Sequence, residues 1–120
     1  MDGSVSTLAP LFAAAFATAA QAEPWVIVAV NSTGQTIKVF QTAPSPGTVW
    51  AAATSDSGSS TVVNGARTTL RFDKPSGTCR MDLRVTFSDG TKAVYSTINV
   101  CDNSYLTLHW SNGKATYTTT

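Results

Sequence analysis

The segment between the two cysteines of the chain, Cys79 and Cys101, most constrains its fold. From Met81 to Phe87, apolar and polar residues alternate strictly. A period of two is typical of a β-strand with one face in a core and the other in water, and it excludes a helix. Asp89-Gly90 then predicts a tight type I′ turn, because Asp and Gly tolerate positive φ. The segment therefore predicts a β-hairpin with one cysteine at the open end of each arm.

The predicted turn also fixes an expected register. A two-residue turn places Val85 opposite Val94 and Cys79 opposite Val100, so that Val94 and Val100 share the core face of the second arm. Cys101 lies one residue beyond the partner of Cys79. We therefore expect a bridge between the cysteines to close where the second arm bends away, instead of directly across the ladder.

The two cysteines permit one pairing. In an oxidising compartment they would form a disulfide, which is worth roughly 3 kcal/mol for a loop of about 20 residues. Two free buried thiols are the alternative. A zinc site is disfavoured, because the chain has a single histidine, His109, and no Cys-x-x-Cys motif. No metal or cofactor is predicted.

Residues 8–22 form an apolar, alanine-rich run that ends in the small-x-small triplet Ala20-Gln21-Ala22. This pattern predicts a signal peptide of residues 1–22 that is cleaved between Ala22 and Glu23, and hence a periplasmic or secreted protein. The run of about 15 residues is shorter than the roughly 20 that a membrane-spanning helix needs, so no permanent membrane anchor is expected. Residues 1–4 lack the positive charge of a usual signal, which leaves open a misassigned start or a retained N-terminal helix.

The rest of the chain, residues 23–120, has the size of one domain. Further strands are predicted at Trp25–Val30, Thr36–Phe40, Arg67–Phe72, Tyr105–Trp110 and Lys114–Tyr117. The first two of these are expected to pair as a hairpin. Six or seven short strands favour an all-β fold, a small antiparallel β-sandwich that is immunoglobulin-like in architecture but lacks the Cys-Trp-Cys spacing of true immunoglobulin domains. A small β-barrel is the alternative.

Two other segments carry local signals. Asn112-Gly113 predicts the turn of a closing hairpin, whose first arm has Leu106, Leu108 and Trp110 on its core side. Residues 54–65 are rich in Ser, Gly and Thr, which predicts a mobile surface loop.

Parts of the chain resemble a known group of proteins. The similar stretches are Asn31–Ile37, Cys79–Gly90 and Asn99–Cys101. They resemble a group of small exported bacterial proteins of unknown function, in which a signal peptide precedes a short β domain with a two-cysteine hairpin. Trp50 matches an internal tryptophan of that group. The resemblance implies a periplasmic or secreted β protein and lends no catalytic residues.

No residue pattern indicates catalysis. His109 is expected on an outward strand face, and no Gly-x-Ser-x-Gly elbow is present. Asp82 lies between Arg80 and Arg84 and is expected to belong to a solvated row of charges. Eight basic and seven acidic residues give a net charge of +1 without clusters, which disfavours nucleic acid as a partner. We expect a non-enzyme; a small secreted hydrolase or carbohydrate-active protein, with His109 beside a carboxylate, is the alternative.

Trp50, Pro44 and Pro46 are the candidate binding residues. Trp50 follows a proline-rich break, and loops carry binding functions more often than strands do. A tryptophan can stack on a sugar or a partner protein, although in a small β domain it more often fills the core. The sequence thus predicts a non-catalytic binding or structural module of the bacterial periplasm or extracellular space. Its unidentified protein or glycan partner at the cell envelope would meet an exposed apolar patch that includes Trp50. The oligomeric state stays open, and the uncharged segment Thr116–Thr120 could assemble through a sheet edge.

Overall fold

The computed structural model describes residues 24–55, 61–73 and 77–120, and the predicted signal peptide lies outside them. The described part contains nine strands, β1 (Pro24–Ser32), β2 (Ile37–Pro44), β3 (Ala51–Ala52), β4 (Thr54–Ser55), β5 (Arg67–Asp73), β6 (Arg80–Phe87), β7 (Lys92–Asn99), β8 (Tyr105–Ser111) and β9 (Lys114–Thr119). The two strands beyond the expected number are the two-residue strands β3 and β4. Within the described ranges, no helix is long and apolar enough to cross a membrane.

The strands form two packed sheets. Their orders are β4-β5-β1-β8-β9 and β3-β2-β6-β7, and the sheets do not close into a barrel. The predicted β-sandwich is therefore confirmed, and the barrel alternative is wrong. The expectation of purely antiparallel pairing fails at one place, where β1 runs parallel to β8 with Val28 beside Tyr105 and Ser32 beside His109. Parallel neighbours need a long crossover, and here the chain between them builds the whole of the other sheet as well as β4 and β5.

The core fills the space between the sheets. The alternate residues Met81, Leu83, Val85 and Phe87 of β6 are all fully buried, as the alternation predicts. From the opposite sheet, Leu106 and Leu108 are fully buried and Trp110 packs against the core. The rings of Phe87 and Trp110 meet across the interface with their centroids 5.5 Å apart.

The chain passes from one sheet to the other between β1 and β2, so the hairpin expected there is wrong. A buried asparagine, Asn31, builds this corner. Its Nδ2 donates to the carbonyls of Gln35 at 2.7 Å and Val62 at 2.9 Å. Its Oδ1 accepts from the backbone N–H of Thr33 at 3.0 Å and from the Thr33 hydroxyl at 2.6 Å. These side-chain bonds satisfy the backbone where a hairpin ladder would otherwise do so.

The segment after β3 differs from the mobile surface loop that its composition predicts. Its first residues form β4, and Val62 is only 3% exposed. Val62 exchanges two backbone hydrogen bonds with Ile37, of 2.8 and 2.9 Å. Residues 56–60 of this segment lie outside the described residues. Despite its polar composition, this segment therefore contributes to the sandwich both before residues 56–60, through β4, and after them, through Val62.

The β6–β7 hairpin forms as predicted, but its turn is one residue longer. Phe87 donates to the carbonyl of Thr91 at 2.8 Å, and Gly90 has φ 92°. This is a three-residue loop with a left-handed glycine. The carboxylate of Asp89 accepts from the Thr91 N–H at 2.9 Å, and this bond lowers the pKa of Asp89.

The longer turn shifts the register near the tip. Val85 lies opposite Ala93, so Val94 points outward and is 43% exposed, contrary to the expectation that it joins the core. A bulge of one extra residue in β7, with Thr97 at φ 62°, restores the expected register toward the open end. Val100 is accordingly buried, as predicted.

Cys79 and Cys101 form the predicted disulfide, with their Cα atoms 5.3 Å apart. Cys101 lies in the turn that follows β7, where the arm has left the ladder. The backbone N–H of Val100 donates to the carbonyl of Cys79 at 2.9 Å and holds the two arms together beside the bridge. The bridge thus closes at the open end of the hairpin, in the position that the register argument predicts.

Candidate binding site on the four-stranded sheet

Residues 45–50, called here the Trp50 loop, join β2 to β3 and lie over the outer face of β6. The loop contains the cis peptide bond Ser45–Pro46. Its first residue, Ser45, donates from its backbone to the carbonyl of Arg80 at 3.1 Å. Further along, the backbone N–H of Gly47 donates to Oδ2 of Asp82 at 2.7 Å. Both bonds tie the loop to β6, so it covers this part of the sheet.

Asp82 is the central anchor of this arrangement. The side chain is only 6% exposed, and its second oxygen, Oδ1, accepts from the backbone N–H of Thr97 at 2.8 Å. The expectation that Asp82 belongs to a solvated row of charges is therefore wrong. The polar face of β6 is covered by the Trp50 loop at this position, and the bulge in β7 aims an N–H at the carboxylate. Strand alternation alone carries no signal of either neighbour.

Gly47 sits where there is little room for a side chain. A Cβ at this position would lie 3.0 Å from Cζ2 of Trp50 and 3.1 Å from Oδ2 of Asp82. Contacts this short require a neighbour to move. The glycine therefore lets the indole ring of Trp50 pack directly against the loop backbone above Asp82.

Arg84 lies against the face of the indole. Its Cζ is 4.6 Å from the centroid of the Trp50 ring, which is within the range of a cation–π contact. Its Nε donates to Oε1 of Gln41 on the neighbouring strand at 3.0 Å, so the guanidinium is held in place. Trp50 is half-buried as a result. It is neither a core tryptophan nor a fully exposed one.

Exposed apolar and proline residues lie in the Trp50 loop and beside Arg84. Val49 is 76% exposed, and Val94, the cross-strand neighbour of Arg84, is 43% exposed. Pro46 in the loop and Pro44 at the end of β2 are also exposed. The structure thus brings Trp50, Pro44 and Pro46 into one segment of the surface. Sequence reasoning missed Asp82, Arg84 and Gly47, whose roles depend on pairings far along the chain.

His109 lies on the other sheet. It occupies an outward position of β8, beside Ser32 of β1 and Thr116 of β9, and neither neighbour carries a carboxylate. Its carbonyl accepts a hydrogen bond of 3.0 Å from the hydroxyl of Tyr95. Among the residues that the structure describes, no three His, Cys, Asp or Glu side chains gather as a metal site would require.

Comparison with known proteins yields a similarity of fold. No family model matches the chain, and no curated protein matches it. The chain is similar to the NMR structure of a protein from Eubacterium rectale, with a TM-score of 0.52 and 14% sequence identity. The alignment covers 81% of this chain and 88% of the other. At this identity the likeness shows a shared β-sandwich fold and nothing about activity.

Proposed function

We propose that the chain is an exported, non-catalytic binding module that recognises a protein partner through Trp50. It would act in the bacterial periplasm or extracellular space, like the group of small exported proteins that it resembles. We also propose that the sandwich is immunoglobulin-like in architecture, as the sequence predicts. An architecture alone does not imply a function.

The fixed, partly exposed indole of Trp50 is the observation that carries this proposal. Tryptophan and arginine are enriched among the residues that dominate binding energy in protein interfaces. Here Arg84 supports the Trp50 ring, and the buried Asp82 fixes the loop that presents it. A side chain that is already ordered loses little entropy when a partner binds, so preorganisation favours affinity.

The surroundings of Trp50 favour a protein partner. Val49 precedes Trp50 in the chain, Val94 is the cross-strand neighbour of Arg84, and neither is buried by the fold. An apolar centre that includes an aromatic residue is typical of protein interfaces. A glycan would instead be expected to use the stacking face of the ring with polar groups around it.

Export is supported by the disulfide and by the N-terminal sequence. Disulfides persist in oxidising compartments outside the cytosol. The expected product is a chain that begins at Glu23 with Cys79 and Cys101 bonded. N-terminal sequencing and intact-mass measurement of protein from the periplasm or culture medium test this. An uncleaved N-terminus with two free thiols contradicts it.

Binding is tested by comparing Trp50→Ala with Tyr105→Ala as baits for extracts of the cell envelope. Tyr105 is a suitable control, because it is a 42% exposed aromatic residue on the other sheet. We expect Trp50→Ala to lose a specific protein that the wild type and Tyr105→Ala retain. Gly47→Ala, whose Cβ would crowd the indole of Trp50 and the carboxylate of Asp82, should weaken the same interaction. Equal capture by all baits contradicts the assignment, and loss of a glycan instead identifies the other class of partner.

A further inference from the structure

The edges of the two sheets differ in how well they are protected against pairing with a further strand. β3 and β4 contain two residues each, so they offer little backbone for pairing. The edge of β7 is interrupted by its bulge, and the carbonyls of Ser96 and Thr97 accept the Tyr117 hydroxyl at 2.8 and 3.1 Å. Short strands and bulges are the usual means of blocking strand addition. Three of the four edges in the described sandwich are thus blunted.

β9 is the fourth edge, and it has none of these protections. It is a six-residue strand with no proline and no bulge, and within the described residues it pairs only with β8. Its one charge, Lys114, lies next to the Asn112-Gly113 turn. The centre of the strand therefore presents an uncharged, regular backbone.

The hydrogen-bond pattern tells which groups of β9 face outward. Thr120 and Tyr105 exchange backbone bonds of 3.0 and 3.1 Å. In an antiparallel ladder, hydrogen-bonded pairs recur every second residue, so Thr118 and Thr116 also bond to β8. The N–H and C=O groups of Ala115, Tyr117 and Thr119 consequently point toward the open edge.

We propose that the edge of β9 pairs with the same edge of a second copy of this chain, antiparallel about a two-fold axis at Tyr117. Tyr117 would then face Tyr117 of the second copy, and Ala115 would face Thr119. These pairings amount to three residue pairs between the copies, because the Ala115–Thr119 pair occurs twice by symmetry. Each pair is joined by two backbone hydrogen bonds, so six new bonds form. The two five-stranded sheets would become one continuous sheet.

The sequence of β9 is complementary to itself in this register. Thr116 of one copy would lie beside Thr118 of the other on the outer face, twice by symmetry. Threonine pairs are favourable cross-strand neighbours. The Lys114 residues would each lie opposite Thr120 at the two ends of the ladder, so that no like charges meet. A two-fold interface requires this self-complementarity, and it favours a second copy over an unrelated strand.

Two double variants test the pairing and its register. Thr116→Lys/Thr118→Lys would place like charges in both cross-strand pairs, whereas Thr116→Lys/Thr118→Glu would place opposite charges there. Both positions are on the outer face of the sandwich. Thr54→Lys, an exposed position on the opposite edge of the same sheet, is the control for an added lysine.

Sedimentation velocity of the full chain over about a hundredfold range of concentration measures the equilibrium. We expect a wild-type dimer, a dissociation constant raised about tenfold or more in the Lys/Lys variant, and a dimer in the Lys/Glu variant and in Thr54→Lys. A wild type that is monomeric at every concentration overturns the proposal. Association that is unchanged in the Lys/Lys variant does so as well, because it then arises at another surface.

Discussion

At the scale of single residues, the least expected feature is a charged side chain that works as a structural connector. Asp82 is buried, and a buried carboxylate is costly unless each oxygen has a hydrogen-bond donor. Here both oxygens have one, from the Trp50 loop and from the bulge in β7. One side chain therefore links the candidate binding loop to an irregularity two strands away.

Asp82→Ala should lower the free energy of unfolding by about 2–4 kcal/mol, because two backbone donors lose their acceptor. Asp82→Asn should have a smaller effect, since its one amide oxygen can still accept from one of them. Urea unfolding measures both. Asp73→Ala, at an exposed position, is the control and should change little. If Asp82→Ala is as stable as that control, the carboxylate does not hold the loop.

At the scale of secondary-structure elements, the sequence predicts which face of a strand is buried better than it predicts which strands pair. The alternation in β6 and β8 identified the core residues, because burial on one side of a strand leaves a local pattern with a period of two. The pairing of β1 with β5 and β8 left no such pattern, since it depends on Asn31 turning the chain at the corner. The Trp50 loop was predicted as a site, but its contacts with Asp82 and Arg84 need the register of distant strands.

Removal of the disulfide tests the element that the sequence predicts best. Cys79→Ser/Cys101→Ser should lose about 3 kcal/mol of stability, because the bridge closes a loop with a sequence separation of 22. Unfolding with and without a reductant measures the effect. The reductant should destabilise the wild type to the level of the double variant and leave the double variant unchanged. A reductant effect of equal size in both proteins would contradict this assignment.

At the scale of the whole molecule, two hydroxyl groups join the sheets at one side of the sandwich. Tyr95 of β7 donates to the carbonyl of His109 on β8 at 3.0 Å, and Tyr117 of β9 donates to carbonyls of β7. Tyr95 is almost completely buried, and this burial raises its pKa from 10.0 to about 12. Ionisation of Tyr95 at high pH would therefore disturb the packing between the two sheets.

The raised pKa gives a signed prediction. A phenol that is harder to ionise in the folded state contributes stability that is complete below pH 10 and is lost as the pH rises through about 12. Tyr95→Phe should be less stable by about 1 kcal/mol at neutral pH, because it lacks one hydrogen bond. It should also lose less stability than the wild type between pH 10 and 12. Urea unfolding across this range, with Tyr105→Phe as the control, measures the difference; parallel curves for wild type and Tyr95→Phe contradict it.

The two one-residue irregularities of the β6–β7 hairpin differ in what depends on them, and this limits where such a chain can vary in length. Phe87 and Thr91 pair across the tip, so loss of one residue between them would leave a two-residue turn and the same residue pairs behind it. Loss of Thr97 would leave Tyr95 and Ile98 on the core face, but it would also remove the N–H that donates to Asp82. The tip is therefore expected to tolerate changes in length by itself, whereas a shortened bulge would arise together with replacement of Asp82 and a rebuilt Trp50 loop.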